Sequence, residues 1–121
     1  VNSQAMNSAN LARDTLDVFG HYVALSLLCA VQAVELRSHQ TVGSYDAREV
    51  LSPATHGLYV AARTAAAGPP RSDRPLHWDD FDGFIQPRIE NLIEALAPGG
   101  PVLAAVADVN AALRGPAGLA S

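Results

Sequence analysis

From residue 1 to about residue 40 the chain holds no proline and, apart from Gly20, no glycine. Its polarity changes halfway along. Asn2, Ser3, Gln4, Asn7, Ser8 and Asn10 crowd the first turns, and Arg13, Asp14 and Asp17 mark a wet side. From Val18 apolar residues close round the chain, until Glu35 and Arg37 end the stretch and His39 and Gln40 fray from it. The pattern predicts one long helix over 1–40, apolar on nearly every side in its second half. At about 1.5 Å per residue it would run roughly 55 Å, whereas a globule of this chain length is only roughly 35 Å across. A helix apolar all round must be buried. The residues that follow are too few to bury it, so other chains or further parts of the same chain are expected to cover it.

The rest of the pattern is also helical. Residues 41–50 read as an irregular connection. Ser52 is a good N-cap and Pro53 suits the first helical position. Leu58, Tyr59, Ala62, Ala65 and Ala66 then keep the helical period over 52–67. Gly68-Pro69-Pro70 ends that helix, with the glycine suited to a left-handed C′ position. A polar, proline-rich loop precedes a third helix over 78–97. There Phe81, Phe84, Ile85, Ile89, Leu92, Ile93 and Leu96 form the cleanest apolar stripe of the chain, and Pro87 should break or kink it near Ile85. A fourth helix over 101–114 sets Val102, Val106, Val109 and Leu113 on one face, and Gly115-Pro116 should stop it. There is no strand pattern and no internal repeat. The expected class is all-α: one segment, residues 1–121, with a long central bundle helix and three shorter peripheral helices, part of a larger multi-chain bundle.

Composition sharpens this picture. Charged residues are 17% and apolar residues 49% of the chain, too apolar for disorder and too sparsely charged for a well-solvated small monomer. The net charge is −4 and every basic residue is arginine. Nothing forms the basic stripe that nucleic-acid binding needs. The single Cys29 excludes an internal disulfide and fits a reducing, cytoplasmic compartment. No charged region precedes an apolar segment, so no signal peptide is expected. Residues 18–36 could pass for a membrane span, but His21, Gln32 and Glu35 would be expensive in lipid. The stretch therefore reads as a bundle helix, with no membrane partner.

Local chemistry is thin. Asp80-Phe81-Asp82-Gly83 resembles part of a calcium-binding loop, but Trp78 and Ile89 stand where the first and last ligands belong. Acidic residues in the first turn of a helix account for it. His21, His39, His56 and His77 are scattered without a carboxylate or cysteine at ligand spacing, so no metal site is expected. Ser26 and Cys29 sit on the apolar helix and read as a back-bonded hydroxyl and a small hydrophobe. Ser3, Asn7 and Asn10 share a helix face. They read either as a capped, solvated helix start or as a polar wall facing a site. No catalytic residue is assigned within the chain.

Several stretches are similar to a known family. Val1-Asn2-Ser3 with the polar turns after it, and Cys29-Ala30-Val31-Gln32-Ala33-Val34-Glu35-Leu36-Arg37, resemble the core-helix region of the aromatic amino acid lyases. These are the ammonia-lyases and aminomutases that use a methylidene-imidazolone group. Ser52-Pro53-Ala54-Thr55, Leu58-Tyr59 and Asp73-Arg74-Pro75-Leu76 resemble the family's C-terminal helices and the Asp-Arg loop between them. The resemblance covers most of residues 1–97, and its opening looks more like the phenylalanine and tyrosine branch than the histidine branch. Gln4 departs from the apolar residue usual there.

The resemblance implies a C-terminal subunit or piece of such an enzyme. The family builds its electrophile from Ala-Ser-Gly, a triplet this chain lacks, and the family's catalytic tyrosine and carboxylate-binding arginine lie upstream. The chain begins just after the place where the family carries a Gln-Asp pair. The implied partner is therefore an N-terminal lyase chain bearing Ala-Ser-Gly and the methylidene-imidazolone group, with further copies in a tetramer. This chain would not be active alone. It would supply core helix and helix-end electrostatics, with Val1, Asn2, Ser3 and Gln4 as a wall of the substrate site. The reaction implied is loss of ammonia from an aromatic α-amino acid, or its isomerisation to the β-amino acid. Two other readings are a non-catalytic helical assembly or regulatory module, and a degenerate relative that kept only the scaffold.

Overall fold

The computed structural model describes the backbone of residues 2–78 and 85–120 and the side chains of residues 4–78 and 85–115. Helix α1 (Asn2–Val42) is followed by a 3-10 turn (Ala47–Glu49) and by α2 (Pro53–Ala67), α3 (Ile85–Leu96) and α4 (Pro101–Ala120). The all-α class is borne out, with no strand among the described residues. Helix α2 packs against the other three, and α3 bridges α1 and α4.

With 41 residues, α1 extends about 60 Å, and the rest of the chain covers only part of it. Ala24, Leu28, Val31, Glu35 and Ser38 are buried. Their alternating spacing of four and three is the seam by which one helix packs on others. On the other faces Leu25 and Leu36 stay exposed, and so do Ser26 and Cys29, which the sequence pattern placed in a buried surround. Every residue from Gln4 to Phe19 is exposed, with Leu16 at 70% and Phe19 at 61%. The span Gln4–Val42 is long and apolar enough by composition to cross a membrane. However, the side chains of Gln32, Glu35 and Ser38 hydrogen-bond other parts of the chain, which is the chemistry of a protein-packed face.

The ends of the elements differ in detail from the sequence expectation. Helix α1 continues past Gln40 to Val42. Gly43 closes it at φ 78°, its N–H donating to the His39 carbonyl at 2.9 Å, and the His39 ring stacks on Tyr45 at 4.1 Å. Ser52 sits at the N-cap of α2, but its hydroxyl makes no capping bond. It faces the Thr55 hydroxyl, which donates to the Ser52 carbonyl. Gly68 has positive φ (95°) with ψ 177°, an extended conformation reserved for glycine and not the left-handed cap expected.

The third helix is described from Ile85, and Pro87 lies in its first described turn. Phe81 and Phe84 lie outside the described residues. Ile89, Leu92 and Ala95 are buried. Among the described side chains of α4, Val102 and Ala105 are buried, while Leu113 is exposed. At Gly115 (φ 55°, ψ −175°) the backbone leaves helical geometry, so the run from Pro101 breaks where Gly115-Pro116 was expected to stop it, and a second short helical run follows.

Two glycines give opposite expectations. A Cβ on Gly100 would run into the Ala95 carbonyl group, whereas one on Gly57 within α2 meets nothing. Gly100→Ala should destabilise the intact protein by about 1–3 kcal/mol, and Gly57→Ala should stabilise it by about 0.5–1 kcal/mol. Urea unfolding of the two variants checks both signs.

Candidate functional site

The densest polar structure lies where α1, α2 and the loop before α3 meet. Glu35 is 0% exposed. Its Oε2 accepts from the Tyr59 hydroxyl at 2.5 Å and from Arg63 Nε at 2.9 Å, and its Oε1 accepts from the Leu76 backbone N–H. Arg63, itself 2% exposed, also donates through NH1 to the Gly68 carbonyl at 2.9 Å. The Tyr59 oxygen in turn accepts from the Ala47 N–H at 3.2 Å. One carboxylate thus fixes the 3-10 turn, the two ends of the α2–α3 connection and α1 together. One turn earlier, the Gln32 amide pairs with both backbone groups of His77. Its Nε2 donates to the His77 carbonyl at 2.9 Å and its Oε1 accepts the His77 N–H at 2.8 Å. Ser38 completes the row by donating to the Asp46 carbonyl.

The cluster is structural in its chemistry. A buried carboxylate survives when it is ion-paired and its lone pairs are occupied, and both conditions hold here. No buried side-chain nitrogen or oxygen lacks a partner among the described residues. Burial, and then the bond to Glu35, push the Tyr59 hydroxyl pKa up, so it stays a donor rather than a base. Asp46, held below its ordinary value chiefly by the Arg48 side chain, caps the 3-10 turn through the Arg48 N–H.

In the sequence Glu35 only ended the apolar stretch and Tyr59 only kept the helical period, so their pairing in this cluster was not foreseen. The available signal was periodicity. Glu35 lies on the same seam as Leu28 and Val31, and Tyr59 and Arg63 lie four residues apart on the buried face of an alanine-rich helix.

The residues expected to wall a site fall at the start of α1 or outside the described residues. Val1 lies outside the described residues. Asn2 and Ser3 begin α1, with their side chains outside the described set, and Gln4 is exposed. Asn7, Ser8 and Asn10 are exposed as well. The first turn of α1 carries no acidic residue, so nothing there cancels the partial positive charge of the helix end. The acidic run at 79–82 considered for calcium lies outside the described residues. Among the described residues no cluster of three or more metal-ligating side chains occurs. His77 is half-buried rather than solvated, and its Nδ1 stands 3.2 Å from Arg88 NH1. Arginine only donates, so this nitrogen accepts.

A second polar feature is a cleft of about 270 Å³ beside the cluster, lined by Arg63, Arg71, Arg74, Arg88 and Trp78 among others. Arg74 lies over the Trp78 ring at 4.3 Å. Arg71 pairs with Asp73 at 2.7 Å on the surface, which pulls the Asp73 carboxyl down to about 2. No single feature of this kind was visible in the sequence, because the four arginines come from three separate segments.

The class defined so far is a helical-bundle segment that clamps one loop with buried polar groups and leaves a long apolar helix half covered. No family model matches the chain. It is 54% identical over 113 residues to an aromatic ammonia-lyase of Loktanella atrilutea, a match covering 93% of this chain and 21% of that protein. It is 39% identical over 114 residues to a phenylalanine ammonia-lyase of Nostoc punctiforme, covering 94% of this chain and 20% of that protein. In sequence the chain is therefore similar to one portion of these aromatic ammonia-lyases. It spans about a fifth of the length of these curated relatives.

The cluster makes two expectations. Glu35→Gln leaves Arg63 buried without its counter-charge and should lower stability by about 3–5 kcal/mol. Tyr59→Phe, which removes one donor, should cost about 1–3 kcal/mol. Because the Tyr59 pKa is raised on folding, its contribution is fully present below the unfolded value near pH 10 and is lost as pH rises through the folded value above it. Unfolding curves of the intact protein at pH 7 and pH 11 should show the deficit of Tyr59→Phe at pH 7 and its shrinkage at pH 11.

Proposed function

We propose that this chain is part of an ammonia-lyase or aminomutase acting on an aromatic amino acid, in which α1 is a core bundle helix and its N-terminal end borders the active site. The observation that carries the reading is the 54% match to an aromatic ammonia-lyase along 93% of the chain. The exposed large apolar residues of α1, among them Leu11, Leu16, Phe19, Tyr22 and Leu25, support it, since such a surface needs further protein against it.

The chain contains no Ala-Ser-Gly, so none of its residues builds or holds a methylidene-imidazolone group, which would reside in protein outside this chain. When present, that group supplies an electrophile for the substrate amine. What this chain adds is electrostatic. The first N–H groups of α1 are unpaired within the helix, and together they carry roughly half a positive charge. Aimed at a site where a β-proton leaves, they stabilise the negative charge that develops, and being fixed in a helix they need no reorganisation. Asn2, Ser3 and Gln4 would line that end. The Glu35 and Gln32 contacts act at a distance by holding α1 against α2 and the 68–78 loop. The assembly would be a cytoplasmic, tetrameric enzyme completed by an N-terminal lyase portion.

The intact protein, incubated with phenylalanine, tyrosine or histidine, should release ammonia and form an arylacrylate absorbing in the ultraviolet. No turnover of any of the three would favour a non-catalytic helical module instead. With activity in hand, Gln4→Glu sets a negative charge in the first turn and should lower kcat about tenfold, equivalent to about 1.4 kcal/mol. Gln4→Met should keep kcat within about threefold, because it leaves the helix-end charge intact. Steady-state kinetics on both variants checks this.

A further inference from the structure

We draw no further inference here: the strongest candidate, the exposed apolar face that α1 presents through Leu11, Leu16, Phe19, Tyr22 and Leu25, carries nothing, because nothing in the structure shows what covers it.

Discussion

The architecture depends on one buried carboxylate. Removing Glu35 and Arg63 from water carries a desolvation penalty of several kcal/mol per ion. It is offset only because Glu35 receives donors from a tyrosine, an arginine and a backbone amide at once. Those donors come from α2 and from the loop before α3. No sliding or rotation of α1 against α2 could keep all of them, so the interaction sets the register of the two helices as well as their contact. The Gln32 clasp on His77 repeats the device one turn away without charge. Together they fix a loop that has no regular secondary structure of its own.

That fixed half of α1 stands beside an uncovered half. Residues 24–38 alternate between a buried seam and faces that are left open, and residues 4–19 are all exposed. Exposed leucine, phenylalanine and tyrosine in this number on one helix are unfavourable in water, each forgoing about 1.5–3 kcal/mol of burial. The likeness to aromatic ammonia-lyases of about five times the chain's length supplies a physical reason for the pattern. On the proposed reading, the seam is internal to this portion and the remaining faces meet protein outside it.

Much of the fold was legible in the sequence because helix signals are local. The long uninterrupted run, Ser52-Pro53, Gly68-Pro69 and the stripe through Ile89 and Leu92 each act within a few residues. What was not legible depended on distant partners. Glu35 looked like the hydrophilic end of an apolar stretch because its partners lie 24, 28 and 41 residues away. The arginine cleft escaped for the same reason. Gly115-Pro116 read as a stop, and the backbone does leave helical geometry at Gly115, although a second short helical run follows. The motif that suggested the family, Gln32 through Arg37, contains the two side chains that clamp the loop, so its specificity reflects an architectural requirement rather than a reacting group. The polar start of α1 was legible as polar, and its role rests on what lies opposite it.

On the proposed reading the whole of α1 is an interior helix of the intact protein. Amide hydrogen exchange along α1 in that protein tests it most directly. Residues 4–19 should be protected as strongly as residues 24–38, with exchange slowed by several orders of magnitude relative to an unstructured peptide. Rapid exchange confined to residues 4–19, with protection beginning near Ala24, would show a helix covered only by its own chain and would contradict the claim.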